Sequence, residues 1–302
     1  MFDHNETLEE ARARNVHDAL FEDVGMCDWT AQLVPAKERV QARLLVREEA
    51  VLCGRDWFEA CIFKLDPSAT IDWAYDEGDL MHADTAVCHI QADARALLTA
   101  ERPSMNFLQT LSAVATQTFR HMKAIERASP NPRGCAVLDT RKTLPGLRLA
   151  QKYAVRVGGG ANQRLALYDG ILIKENHIAA AGSVTAALRS AQALVAAQAS
   201  PLREQITIQV EVETLAQLRE ALAADAVSVL LDNFDLEMMR EAVHINQHLA
   251  QGRALLEVSG GVTMEQLRGI AATGVDRISI GKLTKDVKAV DFSMRVLGKA
   301  PA

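Results

Sequence analysis

The rhythm of apolar and polar positions changes near residue 130. Before it, a charged segment over 6–21 has helical spacing, and the runs VQARLLV (40–46), ATIDWAY (69–75) and TAVCHIQA (85–92) read as strands. A helical stretch, RDWFEACIFKL, lies between the first two runs, so this part reads as a small α+β unit. Met105, Leu108, Leu111, Val114, Met122 and Ile125 then recur at helical spacing, predicting a long amphipathic helix from about Ser104 to Ala128 that stops at the SPNPRG cluster. From Cys135 onward, strand-length runs (AVLDT, GILIKEN, ITIQVEVE, VSVLLDN, ALLEVSG, RISIG) alternate with helical segments near 183–199, 214–224, 235–250 and 263–273. Such alternation builds a parallel sheet with crossover helices. Runs apolar at both parities, such as VSVLL and GILI, fit a sheet covered on both faces. Six or seven strands can be counted, which fits an incomplete β/α barrel of about seven strands. In the tail, Val290, Phe292, Met294 and Val296 alternate, as in a closing strand that could return to the first unit.

Composition narrows the class without changing this picture. A chain of 302 residues is long enough for two domains, and 49% hydrophobic with 24% charged residues is ordinary for a folded protein. Lys and Arg total 33 against 39 Asp and Glu, a net charge of −6, so no global positive field exists to hold nucleic acid or an anionic membrane. The five cysteines (Cys27, Cys53, Cys61, Cys88, Cys135) form no C-x-x-C pair, which argues against a disulfide framework or a zinc site. The acidic N-terminal segment and the absence of a long apolar run predict neither signal peptide nor membrane span, hence a cytoplasmic protein.

Candidate chemistry lies where the barrel strands end. AVLDT runs into Arg141 and Lys142, GILI into Lys174, QVEVE carries Glu211 and Glu213, VSVLL runs into Asp232, ALLEV into Ser259, Gly260 and Gly261, and RISI into Gly281 and Lys282. In a barrel these ends share one mouth, where active sites form. Glycine turns in the last two βα loops match a phosphate site, and the cations Arg141, Lys142, Arg164 and Lys174 imply further anionic groups on the ligand. Of Glu211 and Glu213, one is expected at the mouth and the other turned away. Lys174 reads as a charge for phosphate or as a Schiff-base nucleophile. GGGANQ (158–163) reads as a lid or as a turn supporting Arg164, and His177 as a packing or capping residue. His244 and His248, four apart on a helix, read as an exposed face or as two metal ligands.

The ordered set DTRKTLPGLRLAQKYAVRVGGGANQRLALYDGILIKENHI, QVEVETL, LLDNF, LEVSGGVT and ISIGKLTK, with EDVGMCDWT (22–30) and AERPSMNFLQTLS (100–112) before it, resembles the quinolinate phosphoribosyltransferases, the carboxylating nicotinate-nucleotide pyrophosphorylases. The resemblance spans nearly the whole chain. It implies an N-terminal α/β sandwich domain (1–114, joined by the tail 289–302) and a seven-stranded barrel domain (115–288). The implied reaction turns quinolinate and phosphoribosyl pyrophosphate, with Mg²⁺, into nicotinate mononucleotide, pyrophosphate and CO₂ in NAD biosynthesis. By the same resemblance Arg102, Thr140, Arg141, Gln163 and Arg164 hold quinolinate, and Lys142 and Lys174 lie near both substrates. Glu211 and Asp232 face the ribose hydroxyls and the metal-bound pyrophosphate, while Ser259, Gly260, Gly261, Ile280, Gly281 and Lys282 cradle phosphate. A homodimer is implied, with Arg102 reaching the neighbour's barrel. Two positions depart from the pattern: Gln163 stands where the family usually has His, and Lys282 where it usually has a small residue. Other readings are a paralogue acting on another pyridine, a lyase using Lys174, and a non-catalytic phosphometabolite-binding protein.

Overall fold

The computed structural model describes residues 4–300, and two compact units divide them. One holds the residues up to Phe119, Thr143–Gly159 and those from Lys282 onward; the other holds Arg120–Lys142 and Gly160–Gly281.

The first unit opens with the helix Leu8–Val24, started by a reciprocal cap: the Thr7 hydroxyl accepts from the Glu10 N–H, and the Glu10 carboxylate accepts from the Thr7 N–H. Five strands follow: β1 (Arg39–Val46), β2 (Ala50–Val51), β3 (Thr70–Trp73), β4 (Leu80–Met81) and β5 (Thr85–Asp93), with the helix Arg55–Leu65 between β2 and β3. Along β1, Val40, Ala42, Leu44 and Val46 are buried while Gln41, Arg43 and Leu45 are less so, the period of a strand with one covered face.

The long helix runs Ala94–Ile125, starting ten residues earlier than its periodicity predicts. Pro103 looks like a stop signal, yet it lies inside the helix. The start is set by Asp93, whose carboxylate accepts from the N–H groups of Arg95 and Ala96 at 3.0 and 3.1 Å. An interior proline costs about 3 kcal/mol, whereas burying Leu97, Leu108 and Leu111 completely brings roughly 5–9 kcal/mol, so packing wins.

The second unit is a parallel sheet of β6 (Ala136–Leu138), β7 (Gly170–Ile173), β8 (Thr207–Val212), β9 (Ser228–Asp232), β10 (Leu255–Ser259) and β11 (Arg277–Ser279), in the order β6-β11-β10-β9-β8-β7. Pairing of β6 with β11 brings the first and last strands together, as in a barrel. Six strands form ladders rather than about seven. In the seventh place, beside β6, stands a single parallel bridge between Leu138 and Ala161, where the Ala161 N–H reaches the Val137 carbonyl at 2.9 Å. The segment GGGANQ has three glycines and no alternating apolar residues, so it cannot extend this bridge into a strand. Helices Val184–Ala196, Leu215–Ala223, Leu236–Ala250 and Met264–Ala271 fall within the expected segments, and the first three start at Ser183, Thr214 and Asp235, whose side chains accept from helix N–H groups.

The tail forms β12 (Phe292–Lys299), antiparallel to β1, and completes a sheet ordered β12-β1-β5-β3 in the first unit. Among the described residues no single helix is long and apolar enough to cross a membrane.

Candidate active site

In parallel strands every C-terminal end points the same way, so the register of the sheet decides which side chains meet. Ser259 pairs with Asp232 across β10 and β9, and Glu211 with Leu230 across β8 and β9. Gln209 bonds to Ser228 and Glu257, and Glu257 to Ser279, so these residues share one sheet face. Residues two apart on a strand share a face, which brings Glu211 and Ser259, one step nearer the strand ends, and Asp232, two steps nearer, onto it as well.

At those ends two charged groups form. In the first, the Lys174 Nζ sits 2.9 Å from a Glu211 carboxylate oxygen. Asp232 feels both Lys174 and Lys142, but partial burial outweighs them and pushes its carboxyl above the usual carboxylate range, with Glu213 and Glu175 adding to the rise. Lys142 also passes under the glycine turn after β11: a Cβ built on Gly281 would lie 3.0 Å from the Lys142 Cδ and 3.4 Å from the Thr140 Oγ1. The Thr140 hydroxyl in turn accepts from the Lys142 N–H at 3.0 Å.

The second group is a pair of guanidiniums. Burial lowers the Arg164 pKa and the neighbouring Arg141 lowers it further, against a smaller opposite effect of Asp169, so two cations are held close together. Arg164 is fixed by an Nη1 bond of 2.8 Å to the Gly170 carbonyl. The fully buried Asp139 carboxylate accepts from the Gln163 N–H at 3.0 Å and from the Asn162 amide, tying the 160–164 segment down just before Arg164. GGGANQ therefore acts as a support for Arg164.

The glycine turn after β10 is built for close approach. Gly260 has φ +105°, and a Cβ there would fall 2.3 Å from the Asn233 Oδ1; Gly261 has φ +58° with open space above it. Ile280 departs from its expected place in the phosphate cradle: its side chain is buried and its N–H goes to the Leu138 carbonyl at 2.9 Å. Gly281, half-buried and closed in by Lys142 and Thr140, is left as the glycine of that turn. Lys282 is exposed at the start of the helix Lys282–Lys285. Arg102 is exposed on the helix Ala94–Ile125, in the first unit.

One expectation is overturned and two open readings are narrowed. Glu211 and Glu213 do not diverge by strand alternation, since residues two apart point the same way; the strand ends at Val212, and Glu213 lies exposed in the turn with its N–H on Gln217. His177 is a cap, its Nδ1 accepting from the Lys174 N–H at 3.0 Å. His244 and His248 face each other at 2.9 Å on an exposed helix surface, and among the described residues no group of three His, Cys, Asp or Glu is placed to hold a metal ion. Sequence reasoning missed Asp139, Gln209 and Glu257; the signal available was a polar residue within a largely apolar strand for Gln209 and Glu257, and directly after one for Asp139.

An open β/α barrel whose mouth joins clustered Arg and Lys, two carboxylates and two glycine turns defines an enzyme-type site for a multiply anionic ligand. Two sequence profiles match, described as quinolinate phosphoribosyl transferase N-terminal domain over residues 28–112 and C-terminal domain over 114–295. The chain belongs to the quinolinate phosphoribosyltransferase family. It is 37% identical over 275 residues to the probable carboxylating nicotinate-nucleotide pyrophosphorylase of Bacillus subtilis (91% of this chain, 90% of the relative). It is 38% identical over 292 residues to the carboxylating nicotinate-nucleotide pyrophosphorylase of Mycobacterium leprae, covering 94% and 97%. Among solved structures, the Francisella tularensis nicotinate-nucleotide pyrophosphorylase superposes with TM-score 0.86 at 40% identity, covering 97% of this chain and all of that one. Human nicotinic acid phosphoribosyltransferase, at 16% identity and TM-score 0.57, shares the fold.

Proposed function

We propose that this chain transfers the phosphoribosyl group of phosphoribosyl pyrophosphate to the ring nitrogen of quinolinate and releases pyrophosphate and CO₂, forming nicotinate mononucleotide as a step of NAD biosynthesis. The observation that carries this reading is the grouping of charge at the strand ends: Arg141 beside Arg164, and Lys142, Lys174, Glu211 and Asp232 gathered with two glycine turns. Two ring carboxylates suit the fork-shaped donors of Arg141 and Arg164, with Thr140, Gln163 and Arg102 as further contacts. A 5-phosphate and a pyrophosphate suit Lys142, Lys174, Lys282 and the backbone at Ser259–Gly261 and Gly281. The pairing of Lys174 with Glu211 favours its role as a charge over that of a Schiff-base nucleophile.

The nitrogen attacks the anomeric carbon as the bond to pyrophosphate breaks, through a cationic, oxocarbenium-like transition state. Positioning and electrostatics are therefore what the site must supply. Glu211 and Asp232 place negative charge beside the developing cation. Once the ring nitrogen is alkylated, the bond to the adjacent carboxylate breaks, CO₂ leaves, and the pyridinium stabilises the electron pair left on carbon until it is protonated.

Mg²⁺ is part of this proposal. The described residues offer no cage of three or more ligands, while Glu211 and Asp232 present hard oxygen donors at the mouth. This fits an ion that is held mostly by substrate pyrophosphate and water, with these two carboxylates at its edge. When bound, it neutralises charge on the leaving pyrophosphate.

The working form is proposed to be a cytoplasmic homodimer in which Arg102 serves the neighbouring barrel. Phe21, Met26, Trp29 and Leu33 are large apolar side chains exposed within thirteen residues of one another, which supports an interface at this segment. The test of function is mass spectrometry of product from purified protein with quinolinate, phosphoribosyl pyrophosphate and Mg²⁺, beside a tube with nicotinate. Nicotinate mononucleotide is expected from quinolinate alone; product from nicotinate alone would assign the chain to another pyridine substrate.

A further inference from the structure

We propose that Gln209 is a positioning residue for recognition of the dicarboxylate, holding the Gln163 amide through a hydrogen-bonded row anchored on the buried carboxylate of Glu257. The inference rests on the reading of Gln163 as part of the quinolinate site. The row crosses the barrel interior. The Gln163 Nε2 donates to the Gln209 Oε1 at 2.6 Å, and the Gln209 Nε2 donates to the Glu257 carboxylate at 2.9 Å and to the Ser228 hydroxyl at 3.2 Å. The Ser279 hydroxyl donates to the other Glu257 oxygen.

The direction of this row follows from its anchor. The two ends of an amide have nearly the same shape, so sterics alone do not orient Gln209. Both Glu257 oxygens accept, one from Gln209 and one from Ser279, and the side chain is 1% exposed, out of reach of bulk water as an alternative donor. The Gln209 Nε2 must therefore face Glu257, its Oε1 must face Gln163, and the Gln163 Nε2 must turn inward to meet it. The backbone end of Gln163 is held separately, by its N–H bond to Asp139. Glutamine is a rotamer-rich side chain; here its freedom is lost on folding, before substrate arrives, which preorganises the position that departs from the usual histidine. Gln209 and Glu211 share a face of β8, so one strand presents Glu211 to Lys174 and, one step deeper, Gln209 to Gln163.

Steady-state kinetics with both substrates varied, for the wild type, Gln209→Leu and Glu257→Gln, test the row. The second variant keeps side-chain volume and lets Gln209 reverse, so it carries the test if the first does not fold. Each folded variant is expected to raise the quinolinate KM at least tenfold, with the phosphoribosyl pyrophosphate KM within twofold of wild type. A merely structural role would lower Tm and leave the two KM values unchanged or moved together, and that result overturns the proposal. Wild-type protein that makes no nicotinate mononucleotide overturns the functional reading and the row with it. Active wild type whose variants keep the quinolinate KM overturns the row alone.

Discussion

Asp232 shows at the scale of one residue how site and stability oppose each other. Its carboxyl pKa is raised in the folded chain, first by burial, so the native state binds a proton more readily than the unfolded chain does. Stability from this group is present below its unfolded pKa and is lost as pH rises through the folded value. Asp232→Asn is therefore expected to raise the Tm of the ligand-free protein at pH 7, with the gain vanishing as pH falls below about 4, the ordinary aspartate value, while turnover collapses; thermal scans at both pH values check it, and a lower Tm at pH 7 contradicts it. For the guanidinium pair, on the proposed function Arg141→Ala and Arg164→Ala would each remove a partner of a desolvated substrate carboxylate, worth about 3–5 kcal/mol or two to four decades in kcat/KM. Steady-state kinetics showing less than a tenfold loss with the fold intact would refute their assignment. Arg141, with Lys142, Lys174, Glu211 and Asp232, was legible in the sequence because each stands at the end of an apolar run, whereas Arg164 follows the glycine-rich GGGANQ segment. Asp139 and Gln209 were not, because their roles depend on which segment lies across from them.

At the scale of elements, the turn after β10 makes its own prediction. Gly260→Ala would place a methyl on the Asn233 side chain at a backbone angle that favours glycine. It is expected to cost about 1–3 kcal/mol in urea unfolding and to raise the phosphoribosyl pyrophosphate KM more than that of quinolinate. Equal KM values in the variant would remove this turn from the phosphate cradle. Helices were the most legible elements: Arg55–Leu65 coincides with the stretch its periodicity predicts. The start of the helix Ala94–Ile125 was misread because Pro103 is a local stop signal that core packing overrides. The six or seven strands counted agree with six ladders and one bridge, and the bridge position itself was not legible because nothing local marks a one-residue pairing.

Over the whole molecule, burial decides what the five cysteines can do. No disulfide forms, and burial pushes the thiols of Cys61 and Cys135 up to about 12 and raises those of Cys53 and Cys88 as well. These four are expected to resist a thiol reagent at pH 7.5 until denaturant is added; rapid labelling of any one in native protein would contradict it. On the proposed dimer, Trp29→Glu with Leu33→Glu is expected to shift the light-scattering mass towards the 32.9 kDa chain and to lower activity, because Arg102 would lose the neighbour it is proposed to serve. An unchanged dimer would place the interface elsewhere. The sequence by itself determined the strand–helix alternation, the charged strand ends and the glycine turns, because hydrophobic period and turn chemistry are local properties. Tertiary structure alone decided that β6 meets β11, that the tail completes the first sheet, and that Gln163, Gln209 and Glu257 form one row. Those pairings join residues tens to more than two hundred positions apart, and register between distant strands is settled by packing, which no local pattern records.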